Sequence, residues 1–99
     1  MTAKKRERLE VIRDILQTIK NTRQIKPTRL LYASNLSPQM FKDYIEELIE
    51  KDFIKMEVLD QKASKKDNRE KKTFSLTLKG QDFLQEYKVI ENFVENFGL

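Results

Sequence analysis

Ninety-nine residues suffice for one domain and exclude two. Charged residues (36%) nearly match hydrophobic ones (38%) and the net charge is +4, yet the apolar residues recur at regular spacing, which makes the chain globular rather than disordered. The lack of cysteine and histidine excludes disulfides, thiol nucleophiles, imidazole bases and the usual zinc sites. With no carboxylate cluster to replace them, no catalytic residue, metal site or cofactor is expected, and the protein is not read as an enzyme.

In chain order, Leu9, Ile12, Ile15, Leu16 and Ile19 space a first amphipathic helix over Lys5 to Lys20, with Val11 at the edge of its stripe. The polar NTRQIK ends it. Pro27 suits the first position of a short second helix to Ser34, with Leu30, Leu31 and Ala33 available to bury. Asn35 suits a left-handed corner, and Leu36 can plug it. Ser37 is a good N-cap and Pro38 a good first residue for a third helix to about Lys51, striped by Phe41, Tyr44, Ile45, Leu48 and Ile49. The stretch is a helix-turn-helix.

Beyond Lys51 the period changes. FIKMEVLD reads as a short strand, and KKTFSLTL alternates Phe74, Leu76 and Leu78 on one face. Between them DQKASKKDNREKK holds six basic and three acidic groups and nothing to bury, so the two strands and their loop describe a wing. Thr77 can cap a last helix whose Phe83, Tyr87, Ile90, Val94 and Phe97 step by four, three, four and three, the spacing of a coiled-coil dimer seam. The fold class is therefore mostly α with a small β-hairpin: a winged helix-turn-helix over residues 1–79 and a long C-terminal dimerisation helix over 80–99.

Charge falls in blocks: residues 1–34 net +6, 35–59 net −3, 60–80 net +4 and 81–99 net −3. If the two basic blocks converge, they form a face for a polyanion, the alternative being solvated charge with no partner. No apolar run is long enough to span a membrane, and MTAKKRERLEV lacks the apolar core of a signal peptide. The expectation is a cytoplasmic, nucleoid-associated protein.

RLEVIRDIL in the first helix, YASNLS at the corner, YIEELIEKDFI, and FSLTLKGQDFLQEY leading into the last helix carry a resemblance over roughly residues 8–97. Together they resemble archaeal winged-helix DNA-binding proteins of about ten kilodaltons, chromatin-associated and dimeric through a C-terminal antiparallel coiled coil. The resemblance implies a winged-helix homodimer that binds double-stranded DNA as a regulatory or chromatin-associated protein. Two departures stand out. Asp52 sits where glycine commonly ends the recognition helix, and Pro38 and Met40 stand where polar or aromatic side chains are expected.

Pro38, Gln39, Met40, Lys42 and Asp43, at the start of the third helix, are the residues expected nearest the bases. Of these only Gln39 and Lys42 have side chains suited to base edges, with Gln39 able to pair with adenine, and Ser37 is counted with them as DNA-binding. Phosphate contacts are expected from Lys20, Arg23, Lys26 and Arg29 around the second helix, and from Lys62, Lys65, Lys66, Arg69, Lys71 and Lys72 in the wing. The acidic Glu46, Glu47 and Glu50 are expected mostly further along the helix and turned from the phosphates. The resulting expectation is a dimeric DNA binder of low to moderate sequence specificity. The rival is a winged-helix protein-interaction adaptor that uses its acidic recognition helix, and RNA binding is a third possibility.

Overall fold

In the computed structural model, which describes residues 7–58 and 72–99, the elements follow the expected order. They are α1 (Arg8–Thr22), α2 (Pro27–Ser34), α3 (Pro38–Glu50), β1 (Ile54–Val58), β2 (Lys72–Leu76) and α4 (Leu78–Asn96). The wing loop, with Lys62, Lys65, Lys66, Arg69 and Lys71, lies outside the described residues.

Local chemistry sets the joints. Asn35 ends α2 at φ 57° and ψ 33°, the left-handed conformation its short side chain tolerates. Ser37 Oγ accepts from Met40 N at 3.2 Å and so caps α3, while Pro38 takes the first helical position, where its missing N–H costs nothing. Thr77 caps α4 in the same way by accepting from Gly80 N at 3.1 Å. Asp52 follows α3 at φ 65°. Its N–H donates to Ile49 O at 3.0 Å and that of Phe53 donates to Leu48 O at 2.9 Å, a Schellman closure with aspartate in the position that favours glycine.

The core is built where α1, α3 and the hairpin meet. Ile15, Leu16 and Ile19 of α1, Leu30 of α2, Leu48 of α3 and Ile54 of β1 are fully buried, and Phe74 and Leu84 close the cluster. β1 and β2 pair antiparallel with Met56 opposite Phe74. Ile25, in the α1–α2 connection, adds an isolated antiparallel bridge to β2: its N–H donates to Phe74 O at 3.1 Å and its carbonyl accepts from Phe74 N at 2.8 Å.

Several expectations change. Val11 is buried and Leu9 exposed, the reverse of the expected order. Ala33 is exposed, and Ser34 is buried in its place. Leu78 does not continue the apolar face of β2. It opens α4 and is 79% exposed, because Thr77 has already turned the chain.

Only the first half of α4 belongs to this core. Gly80 and Leu84 are buried, Phe83 meets Phe53 edge-on at 5.5 Å, and Tyr87 stacks on Phe83 at 5.9 Å. The expected division between residues 79 and 80 thus falls inside the first turn of α4. The second half carries Val89, Ile90, Phe93, Val94 and Phe97 on its surface.

Candidate nucleic-acid interface

The α3 helix buries Phe41, Ile45 and Leu48. At about 100° per residue, the arc directly opposite carries Gln39, Asp43, Glu46 and Glu50, all exposed. Glu46 and Glu50 lie in the later turns of the helix, as expected, on the face opposite the core. Glu47 alone sits on the flank, where Arg8 of α1 pairs with it and Lys51 Nζ lies 2.7 Å from its carboxylate. Lys42 Nζ is 4.0 Å from Glu46, and Gln39 Nε2 donates to Asp43 at 3.1 Å. These exposed pairs contribute little to stability, but the ion pairs to Glu46 and Glu47 reduce the repulsion the helix presents to a polyanion.

The expected base-reading residues fall on the N-cap and the first two turns of α3. Gln39 and Lys42 are exposed there, whereas the Ser37 hydroxyl is occupied as the cap. Met40, 49% exposed, joins them.

The expected phosphate contacts divide between two places. Lys20 lies in the last turn of α1, Arg23 is its C-cap, Lys26 is the N-cap of α2 and Arg29 follows on that helix, and all four are exposed. The cluster exists because α1 ends and α2 begins within a few polar residues. Arg23 adopts φ 65°, a conformation unusual for an arginine, at the bend that turns this cluster outward. Lys72 is half-buried in β2 opposite Val58 and takes part in an interaction there.

Sequence reasoning passed over three cations. Arg8 neutralises Glu47. Lys79 donates to Lys51 O at 2.8 Å across the end of α3 and lies 5.0 Å over the Phe53 ring. Arg13 joins α1 to α4, with Nη1 3.3 Å from Glu91 and the guanidinium 5.5 Å over the Tyr87 ring. No local signal marked Arg13, because its partners lie far along the chain. Burial raises the Tyr87 hydroxyl above its usual pKa, Arg13 pulls it down, and Glu10, Glu91 and Asp14 push it up. Beside this joint a polar groove of about 420 Å³ runs between α1 and α4, lined in part by Gln17, Lys20, Gln85 and Lys88.

Of the five expected seam residues, Phe83 and Tyr87 pack on their own domain, while Ile90, Val94 and Phe97 remain exposed. Val89 and Phe93, not included in the expected seam, share the exposed arc with them. Among the described residues no group of acidic side chains is arranged to hold a metal ion, and no helix is long and apolar enough to cross a membrane.

The family described as winged helix-turn-helix matches residues 5–95. Two proteins of Methanocaldococcus jannaschii are similar in sequence. MJ0287 is 51% identical over 51 residues, which cover 52% of this chain and 52% of that protein. MJ0290 is 37% identical over 51 residues, covering 52% of this chain and 24% of that protein. The matches span about half of one relative's length and a quarter of the other's. Among solved structures, Sso10a-2, a DNA-binding protein from Sulfolobus solfataricus, superposes with TM-score 0.70 at 17% identity over 93% of this chain and 85% of that one. A MarR family transcriptional regulator from Silicibacter pomeroyi gives TM-score 0.68 at 16% identity over 88% of this chain and 55% of that one. These structural likenesses establish a shared fold.

Proposed function

The chain belongs to the winged helix-turn-helix family, and from that premise we propose that it binds double-stranded DNA as a homodimer of low to moderate sequence specificity, acting as a transcriptional regulator or chromatin-associated protein in the nucleoid. The observation that carries this reading is the exposed cation cluster Lys20, Arg23, Lys26 and Arg29 at the α1–α2 junction, on the same fold as a capped α3 with an exposed first turn. Phosphate contacts then come from that cluster and from the wing cations Lys62, Lys65, Lys66, Arg69, Lys71 and Lys72, while Gln39 and Lys42 meet base edges. That Sso10a-2 is a DNA-binding protein of the same fold supports the reading. The second half of α4, with Ile90, Val94 and Phe97 exposed, serves assembly with a second copy.

One observation favours a second reading. The outermost arc of α3 is acidic at Asp43, Glu46 and Glu50, which suits a basic protein surface better than a phosphate backbone. Salt titration of duplex binding separates the two. A DNA binder that neutralises about six phosphates gives a log-log slope near −5, and an adaptor shows almost no duplex binding at any salt. Competition between duplex DNA and RNA in the same assay tests the RNA alternative.

A further inference from the structure

The first turn of α3 carries no basic side chain of the kind that most often reads guanine. Its exposed residues are Pro38, Gln39 and Met40, and Met40 is 49% exposed although large and apolar. Gln39 Nε2 donates to Asp43 Oδ1 at 3.1 Å. Because an ionised carboxylate only accepts, this contact fixes the amide orientation and leaves the Gln39 carbonyl oxygen and the second Nε2 hydrogen available to a further partner. Asp43 is likewise an acceptor, and Lys42, the nearest cation, lies 4.0 Å from Glu46. The start of α3 therefore offers apolar carbon at Met40 beside a Gln39 amide that can both accept and donate, with Lys42 following in the second turn.

In the major groove guanine presents two acceptors, which call for paired donors. Adenine presents an N6 donor and thymine a 5-methyl group. We infer that Met40 is a specificity-determining residue that packs on the 5-methyl group of thymine, while the Gln39 carbonyl oxygen accepts from N6 of adenine, so that α3 favours A·T pairs. Pro38, about 200° round the helix from Met40, lines a separate cleft of about 200 Å³ with Leu31, Tyr32, Asn35 and Leu36. Cytosine also carries a donor, N4, but lacks the methyl, so the methyl group is what separates A·T from C·G on this surface. The inference rests on the DNA-binding reading above and deepens it.

The test uses a duplex rich in A·T pairs and a copy in which every thymine is replaced by uracil, so that only the 5-methyl groups are lost. Affinities are measured by fluorescence anisotropy with the full chain. Burial of one methyl group predicts about fourfold weaker binding to the uracil duplex for each methyl contacted. Met40→Gln removes this difference, and Met40→Leu retains it. Both variants sit at an exposed position, and thermal melting confirms that each is folded. Equal affinity of the wild-type protein for the two duplexes overturns the inference while leaving duplex binding intact. A difference that persists in Met40→Gln overturns the role of Met40 and points to duplex shape. Absence of binding to either duplex overturns this inference together with the DNA-binding reading.

Discussion

The carbonyl oxygen of Phe53 occupies the space that a Cβ on Gly80 would need. This contact seats α4 against the start of the hairpin, where Thr77 Oγ1 also donates to the carbonyl of Asp52 at 2.6 Å. A helical glycine normally costs about 1 kcal/mol relative to alanine, so Gly→Ala usually stabilises. Here backbone stands in the way, and backbone cannot rotate aside as a flexible side chain can. Gly80→Ala is expected to destabilise the fold by about 2 kcal/mol or more. Urea denaturation measures it, and a gain in stability contradicts the close approach.

Asp52 offers the opposite case. It holds φ 65° with no side-chain role in the α3 closure, since the bonds of that closure are made by backbone groups. Asp52→Gly relieves the left-handed conformation and is expected to raise stability by about 1 kcal/mol, with little change in duplex affinity. A lower melting midpoint argues against it.

Assembly makes a third prediction. The exposed arc of Val89, Ile90, Phe93, Val94 and Phe97 is the surface proposed to meet a second copy. Ile90→Asp with Val94→Asp is expected to give a folded monomer that binds duplex DNA more weakly. Light scattering of the wild-type protein at micromolar concentration decides the matter, because a wild-type monomer removes the premise.

The acidic face of α3 yields a graded outcome. Glu47 is already matched by Arg8 and Lys51, whereas Glu46 and Glu50 stand on the outermost arc. Glu46→Gln with Glu50→Gln is therefore expected to raise duplex affinity modestly, with an effect that fades at high salt, and Glu47→Gln to change it less. Should the double change convert weak binding into strong binding, α3 must have been held off the groove by its own charge. The adaptor reading then moves ahead.

Tyr87 provides a pH signature for the α1–α4 joint. Its folded pKa lies above the ordinary value of 10.0, chiefly through burial, so the neutral hydroxyl is favoured by folding. The associated stability is fully present below pH 10.0 and is lost as pH rises through the folded value. In a protein with Tyr32→Phe and Tyr44→Phe, tyrosinate absorbance is expected to titrate above the ordinary value. Arg13→Gln should move it higher still, because Arg13 is the group that lowers it.

The positions of the helices were legible in the sequence because their signals are local. Asn35 at a left-handed corner, Ser37 and Thr77 as caps, and Pro27 and Pro38 at first helical positions each act within a few residues of their own backbone. Their consequences do not wait on the rest of the fold. The apolar stripes likewise marked which elements must pack.

Tertiary structure decided what depends on distant neighbours. Leu9 and Val11 lie on opposite edges of one arc of α1, and only the placement of its neighbours determines which edge is covered. Ile25 carries no strand pattern of its own and is bridged to the sheet through the backbone of Phe74, far along the chain. The sequence showed where the carboxylates of α3 lie. That Arg8, on another helix, neutralises Glu47 while Glu46 and Glu50 face outward follows from how α1 and α3 pack. The same holds for Phe83 and Tyr87, whose seam spacing suits a partner helix equally well: the approach of Gly80 to Phe53 fixed α4 on the domain, and that turned both rings inward.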